Sequence, residues 1–268
     1  MSSIRLGAVE YLNARPLVYG LERSRRFTLR FDVPSRCADL LHADDIDLGL
    51  IPSIEYLRGP MAYGIVPAVC VASRGPVASV ALYTRKEPRE MRSIAMDTTS
   101  RTSVALMRVI AKRAYGIAPE PVSMRPDLDL MLAHADGAVI IGDKALFLDH
   151  EALGARKIDL GALWTDATGL PFVYAFWAGR PDVATRDDVK WLREARDNAL
   201  SDLKGIAATY FPGNAKRQAV GLQYLRDNIQ YTLGSDEIEG LTRFYHYASE
   251  LGLASFDGEL RIFHAVAD

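Results

Sequence analysis

The chain has 268 residues, enough for one large domain or two smaller ones, and its 49% hydrophobic and 25% charged residues are ordinary for a globular protein. Its net charge of −2 argues against nucleic acid as a main partner, because proteins that bind nucleic acid usually carry a basic stripe. No window approaches the run of about 18 apolar residues that a membrane-spanning helix needs. The densest basic group is short and predicts a solvated helix end; its members are Arg23, Arg25, Arg26 and Arg30.

The N-terminus and the cysteines favour a cytoplasmic protein. The first residues enter a strand pattern without a charged stretch followed by an apolar run, so we expect no signal peptide. Cys37 and Cys70 show neither metal-ligand spacing nor a CxxC motif. Two reduced thiols are therefore expected, and a single disulfide stays open as the alternative.

In chain order, the sequence first predicts strands that alternate with helices. Strands are expected at 4–9 and 46–51, helices at 16–22, 35–43 and 54–57, and extended segments at 66–73 and 76–84. The pattern then repeats, with strands at 93–96, 122–124, 137–141 and 157–160 and helices at 104–115, 128–134 and 145–148. Residues 163–171 are rich in turn formers and predict an irregular segment, and 172–178 are predicted to be extended.

Helices dominate the remainder of the chain. Thr185 and Asp188 predict a capping box for a helix that runs to about Leu200. A further helix is expected over 215–231, and Ser235 is expected to cap the last one.

This order of elements predicts an α/β protein with two lobes, each a mixed, mainly parallel sheet flanked by helices. The first lobe is expected to be discontinuous, with residues 1–80 plus 176–268, and residues 81–175 form the inserted second lobe. The extended segments 76–84 and 172–178 would be two hinge crossovers beside a ligand cleft. This is the architecture of type II periplasmic binding proteins.

Polar residues are expected at strand ends that face this cleft, where open α/β sheets bind ligands. Asn13 stands between the first strand and the first helix, although Asn is also a favoured helix N-cap. Asp143 begins a helix, where an Asp serves as a general base less often than as a cap. The further candidates are Ser53, Ser79, Thr99, Ser100, Arg101, Thr102, Ser103, Ile141 and Gly142.

The hydroxyls and guanidinium of residues 99–103, together with helix N–H groups, predict a site for a carboxylate or phosphate. The alternative is a well-capped helix with polar decoration. No motif for a metal site, a hydrolase serine or a dinucleotide occurs, so no metal and no cofactor is expected. The scattered histidines are interpreted as structural; they are His42, His134, His150, His246 and His264.

Five segments occur in a characteristic order between residues 11 and 173. They are Tyr11-Leu12-Asn13-x-x-Pro16-Leu17, Asp47-x-Gly49-x-x-Pro52-Ser53-x-Glu55-Tyr56, Thr99-Ser100-Arg101-Thr102-Ser103, Ile141-Gly142-Asp143-x-Ala145-Leu146 and Trp164-x-x-x-Thr168-Gly169-Leu170-Pro171-Phe172-Val173. Each is weak alone, but together they resemble chorismate dehydratase, the first enzyme of the futalosine route to menaquinone.

The resemblance implies a two-lobed, metal-independent lyase that removes water from chorismate to give 3-[(1-carboxyvinyl)oxy]benzoate. It implies that the enolpyruvyl carboxylate of the substrate can accept the proton, which fits a sequence without an obvious catalytic His or Glu. By the same resemblance, Asn13 orients the substrate beside the reacting centre, residues 99–103 hold a carboxylate, and Ser79 adds a hydrogen bond.

Three alternatives remain at this stage. A solute-binding protein for a small carboxylate shares the fold, but the lack of an export signal argues against it. The related 1,4-dihydroxy-6-naphthoate synthase shares the architecture, but the segment from Tyr11 to Leu17 fits the dehydratase better. A ligand-sensing domain of a regulator is disfavoured, because no DNA-binding helix pair precedes the first strand.

Overall fold

The computed structural model describes residues 3–97 and 99–263 of the chain. The strands are β1 (Ile4–Val9), β2 (Phe27–Asp32), β3 (Leu48–Pro52), β4 (Gly64–Ser73), β5 (Val80–Thr84), β6 (Ser93–Asp97), β7 (Glu120–Met124), β8 (Gly137–Ile141), β9 (Arg156–Asp159) and β10 (Phe172–Gly179). The α-helices are α1 (Pro34–His42), α2 (Arg101–Ala114), α3 (Leu128–His134), α4 (Gly142–Phe147), α5 (Leu160–Thr168), α6 (Arg186–Leu200), α7 (Leu203–Tyr210), α8 (Ala215–Gln223) and α9 (Ser235–Glu250). Shorter 3-10 helices cover Leu12–Val18, Leu21–Arg23, Ser53–Tyr56 and Pro88–Glu90, and a π turn covers Tyr224–Asn228. Within the described ranges, no helix combines the length and the apolar character needed to cross a membrane.

The chain forms two five-stranded sheets with the same spatial arrangement of parallel and antiparallel strands. The first has the order β2-β1-β3-β10-β4 and the second the order β7-β6-β8-β5-β9. In each sheet three neighbouring strands are parallel, and the fourth strand is antiparallel to both of its neighbours. Four strands of each sheet therefore run one way and one runs the other way, which confirms the predicted mixed, mainly parallel sheets.

The central strands are buried because they are continuous apolar runs, which is typical of strands covered on both faces. β3 and β8 are buried at every position. The C-terminal helices cover the first sheet, where α6 contacts β4 and α9 contacts β10. The last described residues continue on β4, where Phe263 N donates to the carbonyl of Ile65 at 2.7 Å.

The predicted hinge segments differ from the structure in one respect. β10 lies wholly in the first sheet, between β3 and β4, so the chain leaves the second sheet after Asp159 and enters the first by Phe172. The other passage lies between Ser73 and Val80. The division into two lobes that move as units stays a prediction.

The segment after β1 is a 3-10 helix, which corrects the predicted α-helix at 16–22. Tyr11 occupies its N-cap position, so Asn13 is not the helix cap. Pro16 lies inside the helix and has no N–H to donate, and an α-helix through this position would lose a backbone hydrogen bond. A short 3-10 helix avoids part of that loss.

Residues 163–171 were predicted to be irregular, but most of them belong to α5. Asp159 caps this helix by accepting a hydrogen bond from Ala162 N at 3.0 Å. Gly169, at φ 72°, ends it in the left-handed conformation that glycine adopts easily. The turn formers in this stretch therefore mark the end of a helix.

Three other parts of the sequence prediction were incomplete. Strand β2 and helix α7 were not predicted, and the helix expected at 215–231 ends at Gln223 and continues as the π turn. In the basic group, Arg23 ends a 3-10 helix with an exposed side chain, as expected, whereas Arg30 lies on β2 and Arg26, just before β2, pairs with the buried Asp188 at 2.6 Å. Cys37 and Cys70 are free and buried, and burial raises the pKa of Cys37 to about 12.

Candidate active site between the two sheets

A cavity lies where strand ends of the two sheets face each other, with an empty volume of about 540 Å³ including its opening. The part that the centres of water-sized molecules can reach is about 60 Å³, so the cavity is narrow in this structure. The first sheet contributes Asn13 and Tyr174, and the second contributes Ile141 and Gly142. Among the described residues that line the cavity, none has a carboxylate, an amine, a guanidinium or an imidazole. Its polar side chains are those of Tyr11, Asn13, Ser79, Ser100, Thr102, Ser103 and Tyr174.

Asn13 and Ser79 are connected through a buried tyrosine. The Ser79 and Tyr224 hydroxyls are 2.7 Å apart, and the side chain of Asn13 also lies close enough to the Tyr224 hydroxyl to lower its pKa. Burial outweighs both neighbours and raises the pKa of Tyr224, so its hydroxyl is neutral at ordinary pH. The two candidates that the sequence placed at the reacting centre are therefore both neighbours of Tyr224.

The chain segment before Ser79 is held in an unusual conformation. Ala78 has a φ of 63°, which is strained for a residue other than glycine. The Asp159 carboxylate accepts hydrogen bonds from Val77 N at 3.0 Å and Ala78 N at 2.6 Å. Lys157 Nζ donates to the Ala78 carbonyl at 2.8 Å. This strained backbone places Ser79 at the cavity wall.

The start of α2 faces the cavity through three of the predicted residues. Ser100 caps the helix, since its Oγ accepts from Ser103 N at 3.3 Å, and it donates to Ser103 Oγ at 2.8 Å. Thr102 Oγ1 accepts from Ile54 N at 3.2 Å, so it also joins the helix to the first sheet. The alternative of a well-capped helix therefore describes the local structure correctly, and the same hydroxyls also line the cavity.

Arg101 lies outside the cavity lining, contrary to the expected guanidinium at an anion site. Its Nη1 donates to Glu55 at 2.7 Å and its Nη2 donates to Asp39 at 2.7 Å. Both carboxylates belong to the part of the chain that forms the first sheet. Since α2 belongs to the second, Arg101 bridges the two sides with its charge already compensated.

Ser53 and Thr99 also lie outside the cavity lining. Ser53 is fully buried and donates its hydroxyl to the Val173 carbonyl at 2.8 Å. Thr99 donates to Asp97 at 2.7 Å, and its hydroxyl is 3.3 Å from that of Tyr11. Thr99 thus makes a further connection between the two sides, besides those of Arg101 and Thr102.

Gly142 and Asp143 occupy different positions although they are neighbours. Gly142 has a φ of 66°, and a Cβ there would lie 2.9 Å from the ring of Tyr11, so only glycine fits this part of the wall. Asp143 accepts hydrogen bonds from Leu12 N at 3.3 Å and from the Tyr210 hydroxyl. Burial raises the pKa of Asp143. Because its carboxylate joins the two sides outside the cavity, the structure does not support it as a base.

The histidines with described positions do not line the cavity. His42 stacks on Tyr63 with ring centroids 5.8 Å apart, and His134 and His150 hydrogen-bond to nearby carbonyls. His246 packs against Phe256, and His264 lies outside the described residues. In residues 3–97 and 99–263, no group of three or more His, Cys, Asp or Glu residues could hold a metal ion.

Sequence reasoning missed three tyrosines at or near this cavity. Tyr11 was visible in a quoted segment but received no role, and burial raises its pKa to about 12. Tyr174 follows the last quoted segment, and its hydroxyl is 3.1 Å from that of Ser73. Tyr224 lies in the C-terminal helical region, where no local motif marks it.

The fold is similar to that of solved periplasmic-binding-protein structures. A Candida albicans protein, described as having the generic periplasmic binding protein structural fold, gives a TM-score of 0.70 at 10% identity, covering 100% of this chain and 99% of that chain. The periplasmic aliphatic sulphonate binding protein SsuA from Escherichia coli gives a TM-score of 0.65 at 17% identity, covering 100% and 94%. At these identities the likeness shows the fold alone, and it confirms the predicted fold class.

Sequence comparison identifies the family. The profile of a family described as menaquinone biosynthesis matches residues 4–250. Chorismate dehydratase from Thermus thermophilus is 33% identical over 267 residues, covering 92% of this chain and 95% of the relative. The chain therefore belongs to the chorismate dehydratase family of menaquinone biosynthesis and is an enzyme of the dehydratase type.

Proposed function

We propose that the protein eliminates water from chorismate to give 3-[(1-carboxyvinyl)oxy]benzoate in menaquinone biosynthesis. The observation that carries the proposal is the cavity between the two sheets, which brings Asn13, Ser79 and the start of α2 together in a chain of this family. A wall of hydroxyl, amide and backbone groups suits a substrate with two carboxylates and one hydroxyl.

The reaction needs little from the protein except position. The ring carbon that bears the enolpyruvyl ether loses its proton, and the neighbouring carbon loses its hydroxyl group. The electron pair of the broken C–H bond forms the third double bond of an aromatic ring, and the proton and the hydroxide leave as water. Because aromatisation supplies the driving force, the enzyme has to hold the reacting groups in line and exclude solvent.

The cavity residues divide naturally between binding and chemistry. We assign Ser100, Thr102 and Ser103, at the positive end of α2, to a substrate carboxylate. Ile141 and Gly142 form the opposite wall. Asn13 and Ser79 face the reacting centre, and the enolpyruvyl carboxylate accepts the proton, since the described lining residues include no basic side chain.

The remaining predicted residues have a supporting role in this proposal. Arg101, Asp143, Thr99 and Ser53 lie outside the cavity lining and hold the elements around it together. We further propose that the elimination needs no metal ion and that it takes place in the cytoplasm.

The test is to incubate the purified protein with chorismate in the presence of EDTA and to follow substrate and product by chromatography. Formation of 3-[(1-carboxyvinyl)oxy]benzoate at an undiminished rate in EDTA is the expected result. Binding of chorismate without turnover would favour the solute-binding alternative. Activity that returns only after a divalent metal is added would contradict metal independence.

Replacing Arg101 by methionine is expected to raise the KM for chorismate about tenfold with a smaller effect on kcat. The variant removes the contacts to Glu55 and Asp39, so a smaller fraction of the protein has its two sides together, and apparent affinity falls in proportion to that fraction. Glu55 keeps Arg58 as a partner at 3.0 Å, which limits damage to the fold. Steady-state kinetics measure the effect.

The matched control is Arg108→Met on the same helix. Arg108 is exposed and makes no ion pair with another described residue. Its variant should keep the KM of the parent protein. If both variants raised KM equally, the effect would come from the net charge of α2, and the bridging role of Arg101 would be rejected.

A further inference from the structure

The helix before Tyr224 ends in a widened turn. α8 stops at Gln223, and residues Tyr224–Asn228 form a π turn. Such turns are rare and often occur at functional sites, because the additional residue redirects a side chain. Here the turn buries Tyr224, which is 2% exposed, behind the cavity wall.

Two side chains of this turn hold the segment that carries Ser79. The Tyr224 hydroxyl contacts Ser79 Oγ at 2.7 Å, and Asn228 Nδ2 donates to the Pro76 carbonyl at 2.9 Å. The Ser79 carbonyl in turn accepts from Gly142 N at 2.8 Å. With the strained φ at Ala78, these contacts fix the Ser79 backbone from both sides.

The hydroxyl of Tyr224 has one proton to donate and two neighbours, Ser79 and Asn13. One arrangement that satisfies all three groups uses the amide N–H of Asn13, which can only donate. Asn13 donates from its amide nitrogen to the Tyr224 oxygen, and Tyr224 donates to Ser79 Oγ. The Ser79 proton and the Asn13 carbonyl oxygen are then both available to a ligand in the cavity.

We propose that Tyr224 is a positioning residue for the elimination, which acts by directing the Ser79 proton and the Asn13 carbonyl into the cavity. Tyr224 does not line the cavity and so acts through these two side chains. In this arrangement Ser79 donates a hydrogen bond to the hydroxyl group that leaves the ring. Asn13 holds the substrate so that the neighbouring carbon, which loses its proton, stays in position. The inference rests on the proposed function.

The test is Tyr224→Phe, which keeps the ring and removes only the hydroxyl. We expect kcat for chorismate to fall about 30-fold while KM changes less than about threefold, because a small misplacement of reacting groups affects the chemical step most. The free Ser79 and Asn13 side chains would still occupy the wall, so binding should be largely kept.

Tyr231→Phe is the matched control. Tyr231 is equally buried at 3% exposed, and its hydroxyl has no hydrogen-bond partner in the described part of the chain. Loss of this hydroxyl should leave kcat unchanged. A purely structural effect of removing a buried hydroxyl would instead appear in both variants and in their thermal unfolding midpoints.

A double-mutant cycle with Ser79→Ala completes the test. Because Tyr224 acts in part through Ser79, adding Tyr224→Phe to Ser79→Ala should lower kcat by clearly less than the roughly 30-fold effect of Tyr224→Phe alone, whereas independent effects would multiply. Multiplying effects, or a Tyr224→Phe variant with the kcat of the parent, would overturn the inference. If the parent protein itself did not convert chorismate, the proposed function would fail instead, and the two failures are distinguishable.

Discussion

Replacing Asn13 by alanine is expected to lower kcat for chorismate about 100-fold, the loss typical when a preorganised hydrogen-bonding group is removed from a reacting centre. Asn13 lines the cavity and lies close enough to Tyr224 to lower its pKa, so the change removes a substrate contact and a neighbour of the Tyr224 hydroxyl. The fold should remain intact, because Asn13 does not cap its helix. Single-turnover kinetics with chorismate measure the chemical step directly.

Asn198→Ala is the control for this prediction. Asn198 lies on the exposed face of α6, outside the cavity lining, and its variant should keep the activity of the parent protein. Circular dichroism and thermal unfolding of both variants separate loss of chemistry from loss of fold. An Asn13→Ala variant with near-normal kcat would remove Asn13 from the reacting centre.

Replacing Asp188 by asparagine is expected to lower the free energy of unfolding by about 3 kcal/mol, as is usual when one partner of a buried ion pair is removed. Asp188 is 2% exposed and accepts hydrogen bonds from Arg26 Nε at 2.6 Å and Nη2 at 2.7 Å. It also accepts from Thr185 N at 2.9 Å in the capping box of α6. Urea unfolding at pH 7 measures the loss.

The same substitution has a predictable pH dependence. Although burial raises the pKa of Asp188, the hydrogen bonds from Arg26 and Thr185 outweigh it and hold the pKa below its usual value. A carboxylate with a lowered native pKa stabilises the fold above its unfolded pKa of about 3.9, and this contribution is lost as the pH falls through the native pKa. The difference between parent and variant should therefore be constant near neutral pH and shrink below about pH 4.

Asp187→Asn provides the comparison, since Asp187 is the exposed neighbour in the same helical turn. Its removal changes the charge at the helix start without touching Arg26, and we expect a loss below about 1 kcal/mol. Equal losses of unfolding free energy in the two variants would show that the effect comes from the helix dipole and not from the buried ion pair.

Local signals in the sequence were sufficient for the second sheet. The apolar run Gly137–Ile141 predicted the buried strand β8. Asp127 was expected to cap the helix that begins at Leu128, and it caps α3 by accepting a hydrogen bond from Leu130 N. The capping box at Thr185 is also present. These features depend on residues close in sequence, so no knowledge of the fold was needed.

One misjudged segment depends on contacts between distant residues, and another does not. α5 carries turn-forming residues, but Trp164, at 1% exposed, packs against Phe172 and Phe244 and thereby stabilises it. Tertiary packing outweighs local propensity in this helix. In β2 the apolar residues at 27, 29 and 31 alternate with polar residues at 28, 30 and 32, so a local strand pattern was present and was overlooked.

The same contrast between local signals and contacts of distant residues applies to the candidate site. Strand-end logic placed Asn13, Ser79 and Gly142 together, and all three line one cavity. It could not predict that Arg101 is neutralised, because Asp39 and Glu55 lie more than forty residues away in sequence. Tyr224 was missed for a similar reason, since it is 145 residues from Ser79.

The position of β10 also bears on how the chain folds as it leaves the ribosome. The second sheet is built from the continuous stretch between Val80 and Asp159 and can be completed as soon as that stretch has emerged. The earlier sheet has to wait for Phe172–Gly179, which fills the gap between β3 and β4. Until then both flanking strands present unpaired edges, and nascent chains stalled at this stage are the ones most exposed to aggregation and most dependent on chaperones.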